Sequence, residues 1–146
     1  MRQSFKNHTL HFGAEVRQTK KVRRCFDLAR NVAFSSVYGK IRHGALLTKG
    51  GSVINTCYNK DKICSFGARF RDPARGHATI HAELGCVLGL PRTVTNGADI
   101  YVCRINKHGE FRNSKPCAMC HEVMRYVGVK RVYYTTGEGT IEMYKL

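Results

Sequence analysis

The sequence lacks tryptophan, a long apolar run and a leader-like start. No window of 18 apolar residues occurs, so no membrane-spanning helix is expected. The first 24 residues contain no apolar segment of the kind that a secretory signal requires. The seven cysteines are an odd number, and five of them show no paired spacing. Reduced thiols in an intracellular compartment, cytoplasmic or nuclear, are the simplest interpretation.

Acidic residues are also scarce, and the resulting charge is uneven along the chain. There are 10 Asp and Glu against 25 Lys and Arg, which gives a net charge of +15. Residues 1–75 hold 16 basic and 4 acidic residues, whereas residues 76–146 hold 9 and 6. This asymmetry favours a polyanionic partner, most simply nucleic acid, over a basic surface without a specific partner.

Two short motifs contain the residue types of a catalytic metal site. The first is His81-Ala82-Glu83, and the second runs from Pro116 to Cys120 with cysteines at Cys117 and Cys120. Catalytic zinc takes three protein ligands of the histidine and cysteine type and lowers the pKa of a bound water to about 7. Glu83, two residues beyond His81, is close enough to exchange protons without binding the metal.

Both motifs are expected at the starts of helices. Apolar residues recur at helical spacing after each one, and helix N-termini favour thiolates. These apolar residues are Leu84, Val87 and Leu88 after the first motif, and Val123, Met124 and Val127 after the second.

The combination of H-x-E and a later P-C-x-x-C is the signature of the zinc nucleobase deaminases. From Arg42 to Tyr134 the chain resembles the cytidine/deoxycytidylate deaminase superfamily. The resemblance implies a three-layer α/β/α fold, with a central mixed sheet of about five strands flanked by helices. It also implies one catalytic Zn²⁺ held by His81, Cys117 and Cys120, with Glu83 as the proton-transfer residue.

The length of 146 residues suits one domain, expected over residues 17–146. Residues 1–16 are expected to form either a flexible arm or a short edge strand. The residue patterns predict a helix over 18–37, a hairpin from Arg42 to Tyr58 with its turn at Lys49-Gly50-Gly51, and loops over 60–80 and 91–97. The further elements are helices after His81 and Cys117 and strands over 98–105, 129–135 and 140–144.

The resemblance implies several substrate contacts. The superfamily's second strand ends in an aromatic-Asn pair, here Tyr58-Asn59, so Asn59 would bind the substrate sugar; the alternative is an ordinary turn residue. His77, one helical turn before His81, is a further pocket candidate. The other residues expected around the substrate are Ala45, Ala82, Arg112, Ser114 and Pro116.

The segment from Lys60 to Ile80 mixes aromatic and basic residues. Phe66 and Phe70 alternate with Arg69, Arg71 and Arg75. Such a segment can stack bases and bind phosphates. Alternatively, the Phe rings fill the edge of the core and the Arg side chains are solvated.

The substrate is left open between several classes. Cytosine is favoured over adenine, either in single-stranded DNA or RNA, as the charge suggests, or in free deoxycytidylate. The hairpin ending in Tyr58-Asn59 resembles the deoxycytidylate type, and the lack of tryptophan departs from the vertebrate polynucleotide cytidine deaminases. Pro-Cys-x-Met-Cys also resembles the RNA adenosine deaminases. A zinc-stabilised nucleic-acid-binding module without catalysis is the last alternative, and Glu83 argues against it. No membrane partner is expected, and the oligomeric state is open.

Overall fold

A computed structural model describes residues 13–37, 41–75 and 78–146. The helices are α1 (Lys20–Ala33), α2 (Ser65–Ala68), α3 (Ala82–Val87), α4 (Arg92–Thr95) and α5 (Ala118–Val127), with a 3₁₀ turn at Pro73–Arg75. The strands are β1 (Ala14–Glu15), β2 (Arg42–Lys49), β3 (Ser52–Tyr58), β4 (Lys60–Ile63), β5 (Thr79–Ile80), β6 (Asp99–Ile105), β7 (Phe111–Arg112), β8 (Arg131–Thr135) and β9 (Ile141–Lys145). Across the described ranges, no helix is long and apolar enough to cross a membrane.

The main sheet is mixed and has the order β1-β9-β8-β6-β2-β3, with β7 paired to the end of β6. Strands β6 and β8 are parallel, and the other strand pairs seen in the described residues of this sheet are antiparallel. Five strands have five to eight residues, and β1 and β7 have two each. The predicted mixed sheet of about five strands is therefore confirmed, with two short additions at its margins.

Neighbouring residues of a strand point to opposite sides of the sheet, so the sheet has two faces on which side chains can pack. Helices cover both of these faces. Phe26 and Ala29 of α1 pack with Leu46 and Tyr101 on one face. On the other face α3 and α5 pack with Leu47 and Ile100. The three-layer α/β/α arrangement is thus confirmed, and α1 lies on the opposite face from the two helices that carry the motifs.

Helix α1 is shorter than the predicted 18–37. It begins after Thr19, whose Oγ1 accepts a hydrogen bond from the Val22 amide (3.2 Å), and ends at Ala33. Val37, the last residue of the predicted helix, is 87% exposed because it lies beyond the helix. Periodicity alone missed this end, since the apolar spacing continues past Ala33 while the backbone turns away.

The hairpin was predicted correctly, with β2 and β3 joined by two glycines of positive φ, Gly50 and Gly51. The two predicted loops were wrong. Strands β4 and β5 form a separate two-stranded sheet inside the segment 60–80, and α4 makes one turn inside 91–97. Strand β1 pairs with β9 as an edge strand, as one alternative for residues 1–16 had it, although 1–12 lie outside the described residues.

Candidate active site

The two motifs meet because each occupies the N-terminus of a helix. His81 is the N-cap of α3 and Cys117 is the N-cap of α5, both with extended backbone and neither making a side-chain cap hydrogen bond. Cys120 lies in the first turn of α5 and is fully buried. Nδ1 of His81 is 3.6 Å from Sγ of Cys117 and 3.4 Å from Sγ of Cys120. The prediction that both motifs begin helices is confirmed.

These three residues fit a single zinc ion. They are the group of histidine, cysteine and acidic residues in the described ranges whose donor atoms converge, all within 4.8 Å of one another. Ligand atoms about 2.3 and 2.1 Å from one tetrahedral zinc lie about 3.6 Å apart, which matches the nitrogen-to-sulfur distances. The donor set leaves a fourth position for a non-protein ligand, as a catalytic site requires.

The pKa values of the two cysteine thiols favour the binding of a cation. A hydrogen bond from Cys120 and the neighbouring His81 lower the pKa of the Cys117 thiol to about 4, although burial opposes them. The same pairing and burial raise the pKa of Cys120. Cys117 is therefore the first of the pair to become the thiolate that a metal needs.

Glu83 lies beside the ligands but outside the converging group. It occupies the first turn of α3 and is only 4% exposed. Burial raises the pKa of its carboxyl, and the neighbouring His81 counteracts this effect. A raised pKa makes the carboxyl hold a proton more readily, which suits a group that both accepts and donates one.

A cleft of about 390 Å³ opens over these groups. Its lining includes His81, Glu83 and Cys117 together with two lysines, so it combines groups for proton transfer and metal ligation with positive charge. The lining residues are Ile41, His43, Asn59, Lys60, Thr79, Ile80, His81, Glu83, Ser114, Lys115 and Cys117.

Asn59 lines the cleft and also holds its rim. Its Oδ1 accepts a hydrogen bond from the His43 amide (2.9 Å), and its Nδ2 donates one to the Ile41 carbonyl (2.9 Å). Each group keeps a further hydrogen-bonding position, because an amide oxygen has two lone pairs and an amide nitrogen two hydrogens.

Ser114 lines the cleft, and its hydroxyl also fixes the chain segment that precedes Cys117. Its hydroxyl is 2.8 Å from the Val102 carbonyl, from the Thr135 hydroxyl and from the Thr135 amide. These contacts attach the residues before Cys117 to β6 and to the end of β8, its parallel neighbour.

The other expected substrate residues are divided. Ala45, Ala82 and Pro116 are buried around the cleft without lining it. Arg112 is exposed, lies 3.9 Å from Glu110 and does not line the cleft. His77 lies outside the described residues.

The predicted phosphate-binding segment has a different organisation. Phe70 is buried in the core and Phe66 packs against it, as the alternative interpretation held. Arg69 stacks against both rings, with its Cζ 5.3 and 5.6 Å from their centroids. Arg71 is half-buried, and Arg75 ends the 3₁₀ turn.

Sequence reasoning missed four polar residues of the cleft, His43, Lys60, Thr79 and Lys115. His43 was detectable, because the hairpin register that pairs Gly44 with Tyr58 carries His43 to the level of Asn59. Burial and the nearby Arg104 lower the pKa of His43 to about 4, which keeps its imidazole neutral. Lys60 and Lys115 could not be recognised as cleft residues, because the sequence is rich in lysine throughout.

Comparison with known proteins agrees with this geometry. The profile of the cytidine and deoxycytidylate deaminase zinc-binding region matches residues 19–136. The fold resembles that of dCMP deaminase from the cyanophage S-TIM5 in apo form (TM-score 0.54, 19% identity, 78% of this chain and 81% of that one).

It also resembles a variant of cytidine deaminase from Mycobacterium tuberculosis (TM-score 0.50, 21% identity, 81% of this chain and 87% of that one). No curated protein sequence matches the chain. With a profile match over most of its length and a metal triad at the matching motifs, the chain belongs to the family of zinc-binding cytidine and deoxycytidylate deaminases, enzymes that hydrolyse carbon–nitrogen bonds.

Proposed function

We propose that this enzyme removes the amino group from the cytosine base of a nucleotide, with uracil and ammonia as the products. One observation carries the proposal: the buried Glu83 lies beside His81 and Cys117 in a cleft that also presents Asn59 and two lysines. The cleft therefore contains a chemically suitable group for each of the base, the sugar and the phosphate of a nucleotide.

The chain's own residues account for the proton transfers. Zinc, when bound by His81, Cys117 and Cys120, would supply the Lewis acidity that makes water a nucleophile at neutral pH. The water oxygen bonds to the ring carbon that bears the amine, and that carbon–nitrogen bond breaks. The Glu83 carboxyl carries one water proton to the adjacent ring nitrogen and the other to the departing amine. The two protons and one oxygen of water are thereby all accounted for.

The cleft residues suit the remainder of a nucleotide. Asn59 retains one donor and one acceptor position for a sugar hydroxyl. Lys60 and Lys115 supply positive charge for a phosphate. Cytosine is preferred to adenine because the two similar solved structures are a dCMP deaminase and a cytidine deaminase.

A cytosine in single-stranded nucleic acid is the second candidate substrate, and the net charge of +15 favours it. The basic cluster at the start of α1 does not add to this argument. Lys20, Lys21, Arg23 and Arg24 are exposed on the face of the sheet opposite to the cleft.

The test is a conversion assay with zinc-loaded protein. The substrates are deoxycytidine monophosphate, a cytosine-containing single-stranded oligonucleotide and an adenine-containing RNA loop, each at two salt concentrations. We expect uracil from at least one of the first two. Conversion of adenine alone would contradict the assignment to cytosine.

We expect Glu83→Gln to keep its zinc and to lose at least a hundredfold in turnover, as for loss of a general acid–base. Glu138→Gln, in the exposed turn before β9, is the matched control and keeps full activity. Full activity of zinc-loaded Glu83→Gln would remove Glu83 from the mechanism.

A further inference from the structure

A cluster of arginine and aromatic side chains lies away from the cleft, where α2, α4 and α5 approach one another. The rings of Phe66, Phe70 and Tyr126 have centroids 5.2 to 6.2 Å apart. The Arg69 guanidinium lies 5.3 to 5.6 Å from all three centroids. The Arg92 guanidinium lies 4.1 Å from the Tyr126 centroid. Two exposed arginines are thus held beside one tyrosine.

The cluster is strongly positive. A hydrogen bond from Arg69 and the charge of Arg92 lower the pKa of the Tyr126 phenol. Lys49 adds a third cation, since its Nζ donates to the Thr93 carbonyl (2.8 Å). In the part of the chain that the structure describes, no carboxylate forms an ion pair with any of these three cations.

A shallow depression borders these groups and gives a ligand access. Its volume is about 370 Å³, and it is open to solvent. Its lining residues are Arg92, Thr93, Asn96, Tyr126, Val127 and Gly128.

The cluster also lies within reach of the catalytic cleft. Tyr126 and Cys117 belong to the same helix and are nine residues apart, which corresponds to about 13 Å along its axis. Lys60 and Lys115 line the cleft itself. Cationic side chains therefore occur both at the cleft and at the cluster, on one face of the sheet.

We propose that Arg69 and Arg92 bind the phosphodiester backbone of a single-stranded nucleic acid whose target cytosine occupies the catalytic cleft. This inference rests on the proposed function and selects the polymeric substrate. Guanidinium groups suit this role because they bind phosphate oxygens through paired hydrogen bonds. A free nucleotide in the cleft has no phosphate that would reach the cluster.

The experiment compares two double variants that remove the same charge. Arg69→Gln/Arg92→Gln alters the cluster, whereas Lys21→Gln/Arg24→Gln alters exposed residues of α1 on the other face. Binding of a fluorescent, cytosine-containing single-stranded oligonucleotide is measured across a salt series, in zinc-loaded Glu83→Gln protein so that no conversion occurs. The plot of log K against log salt should become less steep by about 1.4 in the cluster variant, since each single-strand phosphate contact contributes about 0.7.

The control variant should keep the wild-type slope. In the catalytically active protein, the cluster variant should still convert deoxycytidine monophosphate at the wild-type rate. Because Arg69 packs on three rings, the single variant Arg92→Gln is measured as well, with an expected slope change of about 0.7.

Several results would overturn the inference. These are an unchanged slope in both cluster variants, an equal change in the α1 control, or a parallel loss of mononucleotide conversion. A wild-type protein that converts only the mononucleotide and binds no oligonucleotide would overturn it too, while leaving the proposed function intact. If neither substrate is converted but the slope changes as expected, the proposed function fails and the binding site stands.

Discussion

At the scale of single residues, Ser114 fixes the chain segment before Cys117 through one buried hydroxyl. One hydroxyl joins the segment before Cys117 to a carbonyl of β6 and to both the amide and the hydroxyl of Thr135. The position of a metal ligand therefore depends on a side chain that need not touch the metal.

Ser114→Ala should lower the free energy of unfolding by about 1–3 kcal/mol, because buried hydrogen-bonding groups lose their partner. Turnover should fall as well, since the chain before Cys117 is released. Urea denaturation and a conversion assay measure the two effects. Ser52→Ala, at an exposed position of β3, is the control and should change stability by less than about 0.5 kcal/mol. Equal stability of the two variants would contradict the role of Ser114.

The sequence predicted the residues that short spacing defines and missed those that the fold brings in. His81, Glu83, Cys117 and Cys120 fall into two motifs of three to five residues, so their grouping was predictable. Lys60 and Lys115 are distant in sequence from each other, and only tertiary structure places both at one cleft. The assignment of substrate roles to Asn59 and the other cleft residues stays a prediction.

At the scale of elements, the approach of α1 to β2 is unusually close at Gly44. A Cβ atom at this position would lie 2.1 Å from the Ala29 carbonyl oxygen and 2.6 Å from the Ala33 amide nitrogen. Both contacts are with backbone, so no side chain can rotate to make room.

Gly44→Ala should therefore lower the free energy of unfolding by about 1–3 kcal/mol or more, the cost of overpacking, as α1 moves away from the sheet. Thermal or urea denaturation measures it. Gly137→Ala is the matched control, because a Cβ there meets no atom within 4 Å. Equal stability of Gly44→Ala and the control would contradict the close packing of α1 on β2.

Local patterns predicted the long elements well and the short ones poorly. The hairpin of β2 and β3 was predictable because alternation and a Gly-Gly turn lie in one continuous stretch. Strands β4 and β5 pair Lys60 with Ile80 across 20 residues, and neither has enough length to show a period. The one-turn helix α4 is likewise too short for helical spacing to reveal it.

For the molecule as a whole, the basic residues that are concentrated in the first half of the sequence do not lie on one face of the sheet. The strongly basic first 75 residues contribute Lys20 to Arg24 to one side of the sheet and Lys60 and Arg69 to the other. The uneven charge along the sequence could therefore indicate a polyanionic partner, but it could not show where on the fold that partner binds.

Removing the metal should destabilise the entire domain. With free zinc at a thousand times its dissociation constant, the folded state gains about 4 kcal/mol, so a chelator should lower the unfolding temperature markedly. Cys117→Ser should reduce the zinc content and abolish most of this shift. Cys25→Ser, on the opposite face of the sheet, should retain one zinc per chain by elemental analysis. Full zinc content in Cys117→Ser would contradict its assignment as a ligand.

All seven cysteines are free thiols, so no disulfide limits the unfolded chain. A metal held by His81 and Cys117 would nevertheless join two points 36 residues apart in sequence. By the loop-closure relation, closing a loop of that length costs the unfolded chain about 4 kcal/mol of conformational entropy, and folding meets this cost before the metal binds. The same triad that prepares the chemistry would then act as a reversible cross-link, and the enzyme's resistance to unfolding would vary with the availability of zinc around it.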